Sequence, residues 1–134
     1  MVLIAVLISC NQYGSSKESE KDTVVGTYTN GPVTRTYYSD GTIIQESPYG
    51  NKTYSWKVVE ENSQHIKIVE TQGKYKVIFY LYENYKKYPS KVLSCIKNAG
   101  SSQIKTYSDV ILISKYALDS SDGCDGMYFK GSIK

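Results

Sequence analysis

The sequence has few of the side chains from which enzymes build nucleophilic and metal sites. It contains one histidine, His65, and three cysteines. A zinc site needs further nitrogen or sulfur ligands, and Cys95 and Cys124 show no metal-like spacing to His65. A catalytic cysteine needs a base, and the sequence shows no acid/base pair and no phosphate-binding loop. We therefore expect a non-enzymatic protein with no metal or other cofactor, in which His65 is solvated or hydrogen-bonded locally.

The chain also lacks a concentration of charge. Its 16 basic and 13 acidic residues give a formal net charge of +3 and are spread along the sequence. Binding to nucleic acid needs clustered lysine and arginine side chains that together displace several counterions. The sequence therefore argues against nucleic acid as a partner.

Three aspartates near the C-terminus have the wrong spacing for a common calcium loop. Asp119, Asp122 and Asp125 fall at every third position, whereas the acids of an EF-hand alternate and a bidentate glutamate closes the loop. We interpret this segment as a turn with solvated carboxylates.

The N-terminus combines a short apolar run with a cysteine. Residues 2–8 are long enough for the core of an export signal and far short of the ~20 residues of a membrane-spanning helix. The end of the run, Leu7-Ile8-Ser9-Cys10, resembles the lipobox of bacterial lipoproteins. The resemblance implies a signal peptide over residues 1–9, acylation of Cys10 by palmitate-type chains, and a lipid anchor in the bacterial cell envelope, in the outer rather than the inner membrane. The alternative is a buried N-terminal strand that ends in an ordinary cysteine.

The rest of the chain divides into a linker and one domain. Residues 11–22 are polar and have almost nothing to bury, so we predict a flexible tether over residues 10–22. Residues 23–134 then form a single domain of ordinary size.

Tyrosine supplies most of the aromatic surface of this domain. The chain has 14 tyrosines but only two phenylalanines and one tryptophan. A tyrosine ring is apolar at one end and polar at the other, which suits strands with one buried and one exposed face. The composition favours a β protein.

From residue 23 onward, short β-prone runs alternate with turn residues about every eight to twelve positions, and no capped helical pattern stands out. This spacing predicts an all-β antiparallel meander of about 8–10 short strands that forms a small barrel or a sandwich. The runs cover residues 23–29, 33–39, 42–46, 52–60, 65–70, 75–82, 91–97, 104–107, 110–116 and 127–133.

Two local patterns give the meander its detail. Asp40-Gly41 lies between β-prone runs and predicts a hairpin with a type I′ turn. Period-two alternation places one set of residues on the inner face of three strands. This predicted core contains Tyr54, Trp56, Val58, Ile66, Ile68, Tyr75, Val77, Phe79 and Leu81.

The order of these features resembles the bacterial lipocalin-like lipoprotein domains. The resemblance rests on Val25-Gly26-Thr27-Tyr28, Asp40-Gly41-Thr42, Tyr54-Ser55-Trp56, Ile66-Lys67-Ile68, residues 75–82 and Val92-Leu93. It implies a monomeric barrel, held at the membrane by its N-terminal lipid, that binds a small apolar or amphipathic ligand. The residues expected to line the interior are Tyr54, Trp56, Ile66, Ile68, Val77 and Phe79.

A second tyrosine-rich segment offers an alternative function. Tyr80, Tyr82, Tyr85 and Tyr88 stand among lysines, a composition that can stack on sugars or bind a protein. An exposed tyrosine face would make the domain an interaction module for an envelope protein or glycan. Ordinary cross-strand packing explains the same residues equally well.

The remaining cysteines form a natural pair if Cys10 is acylated. In an oxidising envelope we expect a disulfide between Cys95 and Cys124. Two separate thiols are the alternative.

Overall fold

The computed structural model describes residues 23–99, 110–121 and 124–131. The lipobox, the tether and the predicted strand over residues 104–107 lie outside these ranges. Eight strands make up most of the described chain: β1 (Gly26–Asn30), β2 (Val33–Tyr37), β3 (Thr42–Ser47), β4 (Gly50–Glu61), β5 (Ile66–Gln72), β6 (Tyr75–Tyr82), β7 (Ile111–Ser114) and β8 (Met127–Lys130). A short 3-10 helix (Tyr85–Lys87) and two α-helices, α1 (Ser90–Ala99) and α2 (Lys115–Asp119), complete the elements.

The strands form a closed antiparallel barrel in sequence order. Each strand pairs with the next, and β1 pairs with β8 through Tyr28 opposite Lys130 and Thr29 opposite Phe129. Closure removes the exposed sheet edges that would otherwise invite pairing with another chain. The prediction of an all-β, lipocalin-like fold is confirmed, and of the two architectures left open the chain adopts the barrel.

The two ends of the barrel differ. At the end that carries the β2–β3 and β4–β5 turns, Val24 is fully buried against the interior and accepts a 2.7 Å hydrogen bond from the Tyr28 hydroxyl. Trp56 Nε1 donates to the Tyr38 carbonyl at 3.0 Å on the same side. We call this the closed end. The opposite end, which carries the β3–β4 and β5–β6 turns, is called the mouth.

The predicted hairpin between β2 and β3 is present, but its turn is of another kind. Gly41 N donates to Tyr38 O at 3.0 Å, so Ser39 and Asp40 are the central residues of the turn. Gly41 follows them with a φ of 91°. This is the pattern of a three-residue loop whose last position is a left-handed glycine, and the predicted type I′ turn is wrong.

The predicted strand over residues 91–97 is wrong, because this segment belongs to helix α1. Val92, Cys95 and Ile96 are buried on one side of α1, while Leu93 is largely exposed. Spacings of three and four residues are those of a helix face. That face shares a second apolar cluster with Ile111 and Ile113 on the outer side of β7. No helix within the described ranges is both long enough and apolar enough to cross a membrane.

Two strands near the C-terminus are shorter than predicted. The run over residues 110–116 is strand only as far as Ser114, whose hydroxyl accepts a hydrogen bond from Ala117 N and so begins α2. The last strand ends at Lys130.

Cys95 and Cys124 form a disulfide, as predicted. It links the buried face of α1 to the segment that leads into β8, across 29 positions of sequence. In the chain-entropy model a loop of this size stabilises the fold by about 3–4 kcal/mol.

Candidate ligand site inside the barrel

The interior at the closed end is filled by apolar side chains. Alternation along the strands directs them inward, and most have no exposed surface. Tyr28, the tyrosine among them, packs edge to face against Tyr37, with the ring centroids 5.2 Å apart. The set comprises Val24, Tyr28, Ile43, Trp56, Ile66, Ile68, Leu81 and Leu112.

A polar group lies inside the barrel beside this apolar floor. Arg35 of β2 and Glu70 of β5 form a buried ion pair, Arg35 Nη2 to Glu70 Oε1. The Tyr37 hydroxyl donates to the other oxygen of the carboxylate. Arg35 Nη2 also donates to the Tyr37 hydroxyl at 3.3 Å, and Nη1 donates to Gln45 Oε1. Gln72 Nε2 donates to Glu70 Oε1 at 3.2 Å. The Arg35–Glu70 pair is therefore embedded in a connected hydrogen-bond network.

Strand alternation places these two charged side chains inside the barrel. Arg35 is two residues before the buried Tyr37, and Glu70 is two residues after the buried Ile68. Both positions have the inward parity of their strands. Neither residue was predicted, because charged side chains are rarely buried, although Glu70 continues the predicted inward series of Ile66 and Ile68.

Four aromatic rings surround the Arg35 guanidinium. Its central carbon lies 4.9 Å from the ring centroid of Phe79 and 5.4 Å from that of Tyr128. The corresponding distances to Tyr37 and Tyr54 are 5.7 and 5.9 Å. These are cation–π distances, which help to stabilise a charge taken out of water. Arg35 Nε is buried and has no hydrogen-bond partner.

Burial sets the protonation of the site. Desolvation works against the charged form of Arg35, but Tyr37 and Glu70 outweigh it and raise the pKa of the guanidinium. Burial, followed by the charge of Glu70, raises the pKa of Tyr37 well above its ordinary value. Burial likewise raises the pKa of Tyr128, against the opposing effect of Arg35. Tyr37 therefore stays protonated and available to donate to Glu70.

Exposure increases from this polar group toward the mouth. Tyr54, Val77 and Tyr128 pack against the interior cluster but are only partly buried. Gln45 is also half-buried, and Tyr75 at the end of β6 is largely exposed. Val25, Val58 and Val110, which pack against the same cluster near the other end, are also only partly buried.

The six residues predicted to line the interior all lie there, but in two groups. Trp56, Ile66 and Ile68 belong to the apolar floor at the closed end. Tyr54 and Phe79 lie around Arg35, and Val77 is directly opposite Glu70 in the β5–β6 register. Of the six, Tyr54 and Val77 are half-buried, and the other four are buried.

The predicted tyrosine surface is not formed as a unit. Tyr82 and Tyr88 are only 5% and 6% exposed, because they pack beneath α1 on the outer side of the barrel. Their rings are 6.3 Å apart. Tyr80 is half-buried, and Tyr85, half exposed, lies in the 3-10 helix. An exposed face made of all four residues is therefore ruled out.

His65 and the aspartates have local contacts. The His65 ring lies 4.7 Å from that of Tyr80, and its Nε2 is 3.8 Å from Glu60 Oε2. Asp119 accepts a 2.5 Å hydrogen bond from Lys115 Nζ, and Asp125 is exposed. Asp122 lies outside the described residues. Across the described part of the chain, no three histidine, cysteine or acidic side chains are grouped so as to hold a metal.

The outer surface near the mouth carries a shallow cleft. It lies between β6 and α2, encloses about 390 Å³ and is lined by Lys76, Val77, Ile78, Lys115, Tyr116 and Asp119. Tyr116 is 82% exposed there. Tyr75 in the adjoining hairpin and Tyr49 in the β3–β4 turn are also exposed, so the mouth has an outer rim of tyrosine and lysine.

Comparison with protein-family models finds no family that matches the chain. Comparisons with curated proteins and with solved structures also find no match.

Proposed function

We propose that the chain is a non-enzymatic lipoprotein of the bacterial cell envelope whose barrel binds a small amphipathic ligand at the mouth. One observation carries the ligand-binding part. A buried arginine with an unpartnered N–H lies among aromatic rings at the level where the filled interior gives way to half-exposed side chains. An apolar lining with a few placed polar groups is typical of small-molecule sites.

The cost of the ion pair supports a role other than stability. Taking two charges out of water is expensive, and well-packed apolar side chains of similar volume often stabilise a fold as well or better. The closed end of this barrel is built in that apolar way. A buried charged pair next to half-buried side chains fits a site that orients a ligand.

The size of the barrel limits what it can hold. An eight-stranded barrel has an interior that side chains fill or that accommodates one small ligand. With the closed end filled, the space for a ligand is the level of Tyr54, Val77 and Tyr128. We therefore expect the apolar part of the ligand to contact these three residues.

The ligand-binding proposal is tested by native mass spectrometry. The full chain carrying Cys10→Ser is purified from a bacterial envelope fraction and measured before and after incubation with envelope lipid extract. A discrete added mass is expected. The variant Val77→Trp fills the mouth and should abolish this mass, whereas Val59→Trp, at an exposed position of β4, should retain it. A chain that stays bare in every sample would overturn the proposal.

The anchor is a separate part of the proposal and rests on Leu7, Ser9 and Cys10. Stable membrane attachment requires more than one acyl chain, which a fully acylated N-terminal cysteine supplies. Metabolic labelling with a palmitate analogue should mark the wild-type chain and leave Cys10→Ser unmarked. Equal labelling of both would contradict the anchor.

The tyrosine and lysine rim favours a second candidate function, an interaction module for an envelope glycan or protein. Tyr49, Tyr75 and Tyr116 are 98%, 65% and 82% exposed, and they lie in or next to connections at the same end of the barrel. Exposed rings of this kind can stack on sugars. If the triple change to serine abolishes binding to purified cell-wall glycan while Tyr38→Ser, at an exposed tyrosine of the opposite end, does not, the rim is the functional surface.

A further inference from the structure

We propose that the polar group of the ligand is an uncharged hydrogen-bond acceptor, such as an amide carbonyl, an ester or an ether, and that Arg35 Nε is its donor. This inference rests on the proposed ligand-binding function, and it names the chemical class of the ligand. An arginine in a binding site usually suggests a carboxylate or a phosphate. The residues around Arg35 instead favour an uncharged acceptor.

The buried charges inside the barrel are balanced. Arg35 and Glu70 are the two buried charged residues of the described chain, and they are paired with each other. Their charges cancel inside the barrel. A carboxylate bound beside them would leave one uncompensated negative charge in a poorly solvated space, which is strongly unfavourable.

Several hydrogen bonds hold the Glu70 carboxylate beside Arg35. Its carboxylate accepts hydrogen bonds from Arg35, from the Tyr37 hydroxyl and from Gln72. An incoming anion that displaced Glu70 would have to break the charge-assisted bond and leave the buried carboxylate without a cation. Exchange of one carboxylate for another therefore brings no gain.

Arg35 keeps a hydrogen-bond donor that its partners in the barrel do not use. Its Nη atoms donate to Gln45, Tyr37 and Glu70 through three of their four N–H groups, and Nε has no hydrogen-bond partner. A buried N–H without an acceptor is unfavourable, and a neutral acceptor would satisfy it without changing the charge of the site. The ligand group that Arg35 Nε can bind is therefore an uncharged polar group.

The aromatic rings add a preference for the rest of the ligand. Phe79, Tyr128 and Tyr54 lie within 6 Å of the guanidinium carbon, at 4.9, 5.4 and 5.9 Å from ring centroid to carbon. A flat or aliphatic group next to the acceptor would pack against these rings on the mouth side. We therefore expect an acceptor joined to a compact apolar body.

Three probes of matched shape test the inference by isothermal titration calorimetry on the full chain carrying Cys10→Ser. They are 4-phenylbutanamide, 4-phenylbutyrate and butylbenzene. The amide should bind about tenfold or more tightly than the carboxylate, because only the carboxylate adds charge to the site. It should also bind more tightly than butylbenzene, which has no acceptor for Arg35 Nε.

A change of Glu70 should reverse the preference. Glu70→Gln keeps the shape of the side chain and removes its charge, so Arg35 becomes an unpaired cation. The variant should bind 4-phenylbutyrate more tightly than the amide. If Glu70→Gln does not fold, as judged by near-ultraviolet circular dichroism, the comparison of the three probes on the unchanged site still decides the inference.

The outcomes separate this inference from the proposed function. Tighter binding of the carboxylate by the unchanged site would overturn the inference and leave ligand binding intact. Equal binding of the amide and butylbenzene would also overturn it, because Arg35 would then play no part. If none of the three probes binds and native mass spectrometry finds no added mass, the proposed ligand-binding function fails as well.

Discussion

Arg35 on β2 and Glu70 on β5 pair across the interior of the barrel, with side chains only 3% and 0% exposed. Most of the interior around them is apolar, so each charge depends on the other. This dependence makes single and double substitutions respond very differently. It also separates the fold, which the apolar floor can sustain, from the site, which needs both charges.

The first prediction concerns the removal of one or both charges. Glu70→Leu should lower the free energy of unfolding by about 3–5 kcal/mol, because it leaves Arg35 buried and uncompensated. The double variant Arg35→Met with Glu70→Leu should recover most of that loss. Urea unfolding of the four proteins in the cycle gives the coupling.

The exposed pair Lys115–Asp119 serves as the control for this cycle. Both side chains are about half exposed, so Asp119→Ala should leave the free energy of unfolding almost unchanged. A double interior variant that is as unstable as Glu70→Leu alone would show that the polar network is needed for folding.

The second prediction concerns stability at high pH. The pKa of Tyr37 is raised in the folded protein above its ordinary value of 10.0, first by burial and then by Glu70. Below pH 10 both states keep the proton, and this contribution to stability is complete. Above pH 10 the unfolded chain loses the proton first, so the free energy of unfolding falls as the pH rises.

Tyr28 adds to the same loss, because burial also raises its pKa. Tyr37→Phe should therefore make the decline above pH 10 shallower, as measured by urea unfolding between pH 8 and pH 11. Tyr49→Phe, in an exposed turn, should leave the profile unchanged. A steeper decline in Tyr37→Phe would contradict the assignment.

Alternation made much of the barrel predictable. Ile66, Ile68, Phe79 and Leu81 lie inside as expected, because a strand directs every second side chain to the same face. Tyr75 follows the same parity but is 65% exposed, since it stands at the lip of the mouth where no opposing strand covers it. The alternation of a strand predicts which way a side chain faces. Its position along the barrel determines how far it is buried.

The Arg35–Glu70 pair was harder to predict than the apolar core. Nothing in the local sequence says that Arg35 and Glu70, which are 35 positions apart, meet across the barrel. That contact depends on the closure of the sheet and the stagger of its strands. Helix α1 was missed for a related reason, since its first turn has no acidic residue and its face becomes apolar surface only against β7 and β8. Tertiary packing overrides weak local preference in such segments.

The third prediction concerns the disulfide. Replacing Cys95 and Cys124 together by alanine should lower the free energy of unfolding by about 3–4 kcal/mol, because the unfolded chain regains the freedom of the closed loop. Treatment of the wild-type protein with dithiothreitol should give a similar loss. Reduction should have no effect on the double variant, which is the control. The measurement is the urea midpoint with and without reductant.

The barrel should survive this change as a folded unit. The disulfide links α1 to the segment before β8 and contacts the outer cluster, not the interior one. Binding of 4-phenylbutanamide should therefore persist in the double variant at low urea. Loss of binding together with the disulfide would mean that the outer cluster holds the mouth in shape.

The last prediction compares two glycines with positive φ. Gly73 in the β5–β6 turn has a φ of 64°, and a Cβ there would meet nothing within 4 Å. Gly126 before β8 has a φ of 90°, and a Cβ there would lie 2.6 Å from Ser114 Oγ. Alanine at either site carries the backbone cost of a left-handed conformation, about 1–2 kcal/mol. This cost is greater at Gly126, because its φ lies beyond the left-handed region open to alanine, and only Gly126 adds a steric contact.

Ser114 has little freedom to retreat from such a contact. Its hydroxyl accepts the hydrogen bond from Ala117 N that begins α2, and its backbone N donates to Gly126 O at 2.9 Å. Gly126→Ala should thus cost about 1–3 kcal/mol more than Gly73→Ala in urea unfolding, through overpacking and loss of the cap. If Gly126→Ala with Ser114→Ala were no more stable than Gly126→Ala alone, the clash would not be the cause. Equal costs for the two glycine variants would mean that the β7–β8 connection moves aside freely, and α2 would then not be fixed against the mouth.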